Sequence, residues 1–168
     1  MNENAWWSLG MIFIDTQLWI YAQKEPDPNR FPTKVEYERM LGFHQKADSF
    51  LQRQVKQSVI AMTYHQLAEI YHDLAFQGQR IDNDFCAQFC STMLRSRFMK
   101  WFPMTETHIQ ESLRLSTKSG IHVWDYLCIL PVIQNVDVLY TCDSHFQHET
   151  FTSFQRPIHN PVGEWIAI

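Results

Sequence analysis

Four short apolar runs of β-forming residues are separated along this chain by stretches with helical spacing, and this alternation restricts the fold more than any other feature. The runs are MIFID (11–15), SVIAM (58–62), MKWFP (99–103) and VDVLYT (136–141). Between the first two, Val35, Met40, Leu41, Phe43, Ala47, Phe50 and Leu51 recur at the spacing of one helix face. Strands alternating with helices predict an α/β fold with a mainly parallel sheet.

The connecting segments carry their own signals. QLWIYAQ (17–23) reads as a short helix that stops at KEPDPNRFPT, a loop with three prolines. A helix over 34–55 contains Gly42, which is expected to bend or divide it. Thr63 with Gln66 three residues on is a capping-box signature for a helix running to about Phe76 and stopping near Gly78. Asp82 or Asn83 opens a helix expected to reach Phe98. TETHIQESLRLSTKSG has acid early, Lys118 late and Gly120 as a stop, matching the helix dipole. VWDYLCILPVIQNV reads as a further helix with Pro131 inside it, expected to kink it or free a carbonyl near Leu127. One more strand is expected near Ile158 or Trp165.

At 168 residues the chain suits one domain. We place it at 11–168, with residues 1–10 as an extension. MNENAWWSLG lacks the basic start and apolar centre of a signal peptide. No apolar stretch approaches the roughly 20 residues of a membrane-spanning helix, so a cytoplasmic protein is expected. Cys86, Cys90, Cys128 and Cys142 lack the close pairing of a zinc finger and read as buried free thiols. The net charge of −4 argues against strong nonspecific nucleic-acid binding.

That charge has a particular location. Asp15 ends MIFID, Glu69 follows SVIAM, Asp125 sits in GIHVWDYLCIL, and Asp143 follows VLYTC. Each has an ordinary alternative. Asp15 suits a helix N-cap, with Thr16 beside it. Glu69 and Asp73 suit a solvated helix face, although Leu67, Ala68 and Ile70 surround Glu69. Asp125 suits a helix N-terminus, and Asp143 a turn. Open parallel sheets, however, form their sites outside the carboxyl ends of the strands. Four carboxylates gathered there cannot all stay ionised without cations. That is the arrangement a Mg²⁺- or Mn²⁺-dependent phosphodiesterase requires, and setting these four charges aside leaves a roughly neutral protein.

The order FIDT, IAMTYHQLAE, WDYLCIL and YTCDSHF resembles the PIN-domain family, in which a strand ends in Asp-Thr, a helix carries Glu, a later Asp begins a helix, and a strand delivers Thr-x-Asp before Phe. The resemblance covers nearly all of 11–162 and is nearest to the small VapC-like toxin ribonucleases. It implies a three-layer α/β/α sandwich and a metal-dependent endoribonuclease. It also implies an acidic site of Asp15, Glu69, Asp125 and Asp143 that holds Mg²⁺ or Mn²⁺, with Thr141 and Thr16 in support. Hydrolysis leaving a 5′-phosphate and a 3′-hydroxyl is implied as well. Toxin-type members imply an RNA substrate, an inhibiting antitoxin and a homodimer. Gln17 stands where Asn is frequent, Pro131 interrupts a helix usually rich in Ala and Leu, and the 24–33 loop and following helix are longer than in minimal toxins.

Three readings compete: a toxin-type ribonuclease, a PIN-type nuclease of RNA processing or decay without an antitoxin, and a binding module that keeps only the fold. QLWIYAQ is a candidate apolar groove for an antitoxin, with core packing as its alternative. Arg80, Arg95, Arg97, Lys100 and Asn29-Arg30 are candidate phosphate contacts or ordinary surface charge. His122, His145 and His148 with a cysteine form a competing zinc set.

Overall fold

Strands that are apolar on both sides must be covered on both faces, and the chain does this in two separate cores. The structure, a computed structural model, describes residues 10–167. The expected extension, apart from Gly10, lies outside them. The strands are β1 (Met11–Ile14), β2 (Val59–Thr63), β3 (Met99–Phe102), β4 (Val138–Tyr140) and β5 (Ile158–His159). The helices are α1 (Thr16–Gln23), α2 (Lys34–Gln57), α3 (Tyr64–Phe76), α4 (Asn83–Arg95), α5 (Glu106–Ser119), α6 (Val123–Ile129) and α7 (Glu149–Thr152).

The sheet order is β3-β2-β1-β4-β5 and every pairing is parallel. Side chains alternate across it. Ile12, Ile14, Ile60 and Met62 join one core with Leu18, Phe50, Ile70 and Met93, from α1 to α4. Phe13, Ala61 and Leu139 join the other with Leu115, Ile129 and Phe151, from α5 to α7. The fold is therefore a three-layer α/β/α sandwich. From β1 the chain steps outward to β2 and β3, then crosses back to place β4 on the other side of β1. The strand order thus reverses between β1 and β4, where open parallel sheets leave a crevice at the carboxyl ends.

Several local expectations change once packing acts. Gly42 does not divide α2, which runs unbroken through it. The helix at Asp82–Asn83 stops at Arg95 rather than Phe98. Ser96 N–H closes on Met93 O, and Phe98 O accepts from Ile60 N at 2.7 Å, so the sheet captures this segment. Pro131 ends its helix: α6 has seven residues, and the N–H groups of Val132 and Ile133 both turn back to Ile129 O. Without an N–H on Pro131, the Leu127 carbonyl loses its helical donor. The capping box at Thr63 is only half made. Its hydroxyl accepts from Gln66 N, but the Gln66 side chain donates to Ile14 O at 2.8 Å and ties α3 to the end of β1. Leu18, Trp19, Ile20 and Ala22 of QLWIYAQ are buried in the core, so this segment does not supply an open groove. The extra strand forms at Ile158, while Ile166 adds a single parallel bridge to Asp143.

A methyl group at position 42 would meet nothing within 4 Å. Gly42→Ala should therefore stabilise the protein by about 0.5–1 kcal/mol through helix propensity. A urea titration should show the midpoint rising with an unchanged slope.

Candidate metal centre

Parallel pairing brings the first and last carboxylates together. Asp15 N donates to Tyr140 O at 2.9 Å, which extends the β1–β4 ladder one residue past the strand. Asp15 occupies the N-cap position of α1, yet its side chain makes no capping hydrogen bond. Its Oδ2 instead accepts from Thr141 Oγ1 at 2.8 Å, and the same Thr141 oxygen accepts from Asp143 N at 2.9 Å. One hydroxyl thus connects the two strand ends. Asp143 Oδ1 accepts from His145 N at 2.9 Å, fixing the turn that follows.

The other two carboxylates arrive on helices. Glu69, in the second turn of α3, accepts at Oε2 from Thr16 Oγ1 (2.8 Å) and Cys128 Sγ (3.3 Å). Asp125 lies in the first turn of α6, and its Oδ2 is buried without a hydrogen-bond partner. His145 Nδ1 stands 3.4 Å from that oxygen and 3.3 Å from Asp143 Oδ2, longer than an ordinary hydrogen bond. Ligand atoms of Asp125, Asp143 and His145 lie within 4.8 Å of one another.

All four sequence-predicted acids, with Thr16, line one cavity of about 70 Å³ together with Gln17, Asp73 and Cys128. Neither Lys nor Arg is among these lining residues. Neighbouring carboxylate charge consequently adds to burial in raising Asp15 and Asp125. Burial, followed by the charge of Asp125, pushes Asp15 well above the usual carboxylate range, partly opposed by the Thr141 hydrogen bond. Burial, then the charges of Asp143 and Glu69, pushes Asp125 up to about 7. Burial also raises Asp143, against the opposing hydrogen bond from the His145 backbone. The Cys128 thiol is driven well up by burial and by Glu69, so it stays protonated and donates to that carboxylate.

The donor chemistry fits a hard divalent ion. It is rich in carboxylate oxygen, contains an orphaned buried oxygen, and has room for a few waters. A zinc set built on the three histidines fits poorly. His148 Nδ1 is occupied by Thr150, accepting from its backbone N–H at 3.2 Å, and caps α7. Among the described residues, the clustered donors around His145 are carboxylates and include no cysteine. Sequence reasoning passed over Asp73 and Cys128 as site residues. Asp73 is one helical turn from Glu69, and Cys128 is three residues from Asp125, so both signals lay in the spacing. His145, expected in the rival zinc set, lies against Asp125 and Asp143 as well as against the ring of His122, 6.3 Å between centroids.

No family model matches the chain. No curated protein matches it either. Solved structures do. VapBC2 from Rickettsia felis, bound to a DNA fragment from its promoter, superposes with a TM-score of 0.55 at 15% identity, covering 89% of this chain and 98% of the other. FitAB bound to an IR36 DNA fragment gives 0.55 at 14% identity, covering 90% and 96%. These similarities show the fold, which is the PIN-like one that the sequence motifs implied.

Stability without metal should depend on pH in a defined direction. Asp125 keeps its proton in the folded protein up to about 7, whereas an unfolded Asp loses it near about 3.9. The folded pKa is raised, so its contribution is complete below about 4 and is lost as pH rises through about 7. Differential scanning fluorimetry should show the melting temperature of EDTA-treated protein falling across that window. Saturating Mn²⁺ should raise it by several degrees at pH 8 and far less at pH 5.

Proposed function

We propose that this protein is a metal-dependent endoribonuclease that hydrolyses RNA phosphodiester bonds, and that it is the toxin of a type II toxin–antitoxin pair. One observation carries the catalytic part: four carboxylates converge at the β1–β4 crevice, with one buried oxygen left unpartnered. The motif resemblance to VapC-like toxins and the fold similarity to VapBC2 support the toxin part. In this reading residues 11–168 form one cytoplasmic nuclease domain.

Asp15, Asp125 and Asp143 would hold Mg²⁺ or Mn²⁺, and Glu69 would complete a second position or orient the attacking water. When bound, such ions stabilise charge on the phosphate and make water acidic enough to attack near neutral pH. The chain's own residues do the positioning. Thr141 keeps Asp15 and the Asp143 backbone in one frame, and Thr16 fixes the rotamer of Glu69. Water adds to phosphorus, the bond to the 3′ oxygen breaks, and that oxygen takes a proton. The products are a 5′-phosphate and a 3′-hydroxyl.

The partners belong to the same proposal. Phe85 and Leu94 on α4, with Ile109 and Leu113 on α5, are exposed apolar side chains suited to an antitoxin or a second copy. Arg80, Arg95 and Arg97 are exposed and available to RNA phosphates outside the acidic cavity.

The test is incubation of purified protein with a mixed RNA pool in Mn²⁺ and in EDTA. Cleavage should occur only with the metal. Asp15→Asn and Asp143→Asn should each reduce it by at least about a hundredfold, the scale of losing an essential electrostatic group. Both variants should fold and melt at or above the wild-type temperature when metal is absent, because each removes like-charge repulsion. Full activity in both would remove the assignment, and failure of the wild type to bind Mn²⁺ would favour the non-catalytic binding module.

A further inference from the structure

Beside the acidic cavity lies a larger one of about 380 Å³, lined by His65, Ala68, Glu69, His72, Asp73 and Trp124. The two share Glu69 and Asp73, so they form a continuous surface. The character changes abruptly between them. The first is a ring of carboxylates, while the second is bounded by an indole and two imidazoles. Trp124 is half exposed. Its ring stacks on His65 with centroids 5.0 Å apart and planes 16° from parallel. The buried His65 Nε2 has no hydrogen-bond partner, so no bond at that atom accounts for the ring's placement. Next along α3, Tyr64 stacks on Trp101 at 5.1 Å and 6°, again with the tyrosine largely exposed.

We propose that the Trp124–His65 pair is a subsite for one unpaired nucleobase of single-stranded RNA, placed next to the phosphate that the carboxylates act on. The proposal rests on the ribonuclease reading. Its occupant follows from the chemistry of the wall. A branched aliphatic anchor would find Ala68 as its one aliphatic neighbour among the described lining residues, whereas the rings present flat faces. A phosphate is repelled by Glu69 and Asp73. A neutral flat heterocycle meets a π face already backed by a second ring, and stacking of that kind is the sequence-tolerant way to hold single-stranded nucleic acid. Trp124 immediately precedes Asp125, so the platform and a proposed metal ligand leave the same turn of α6. Binding a base there would set the register of the neighbouring phosphate over the acids.

The probe is a fluorescein-labelled short oligoadenylate, with a matching series in which each position in turn is abasic. Affinity is read by anisotropy in the Asp15→Asn background, where the chain binds without cleaving. Trp124→Ala should weaken the intact oligomer roughly tenfold, within the range for loss of one stacked base. Trp124→Phe, which keeps a π face, should retain most of the affinity and covers the case in which the alanine variant misfolds. At one abasic position the alanine substitution should make no difference, because the stacked partner is already gone. Equal binding of the intact oligomer by Trp124→Ala, or an equal loss at every abasic position, would overturn the subsite. If the native protein cleaves RNA and the Trp124 variants bind it unchanged, only the subsite fails. If the native protein neither cleaves nor binds RNA, the ribonuclease reading fails and takes the subsite with it.

Discussion

Confinement of like charge at one edge of the sheet is the constraint on which the rest of the site depends. Carboxylates repel one another, and burial strengthens the repulsion by removing water. The β1–β4 ladder overrides it. Backbone pairing carries Asp15 up to Tyr140, and the Thr141 hydroxyl then fixes Asp15 and Asp143 relative to each other through two short hydrogen bonds. Remove that ladder and the acids would separate into solvent, where each is an ordinary surface group.

The protein supports this strain with apolar packing beneath it. Phe146 follows Asp143 by one turn and stacks on Phe151 at 4.4 Å and on Phe13 at 6.4 Å. Tyr126 follows Asp125 directly and lies parallel to Phe151 at 4.7 Å. Both residues are fully buried. The side chains that carry charge therefore stand beside side chains that cannot move without opening the second core. Local repulsion is retained because the cost of relieving it, exposing several aromatic rings, is larger.

The proposed function would divide recognition between the two adjoining cavities. A ring of acids attracts cations and repels the RNA backbone unless those cations are present. Under the proposed ribonuclease function, the aromatic faces along the N-terminal end of α3 and beside Asp125 would hold bases irrespective of charge. On that proposal a net-negative protein would act on a polyanion without a broad basic surface.

Much of this was legible in the sequence. The four strands, the order of the helices and the four acids all follow from patterns with strong local causes: apolar runs, caps, and an aspartate where a strand ends. Gly120 stops α5 in the left-handed conformation that a glycine tolerates, as its position suggested. Two of the changed details are ones in which a distant partner competed with a local rule. Gln66 left its capping box for the Ile14 carbonyl, and the sheet captured Phe98; of the two readings open for QLWIYAQ, the core one holds. The sequence by itself determined which residues would carry charge and which elements would present them, because those choices depend on neighbours along the chain. Only the tertiary structure decided that His145 lies against both Asp125 and Asp143 and that Trp124 lies flat on His65. Those contacts depend on strand order and helix rotation, which the two cores set together.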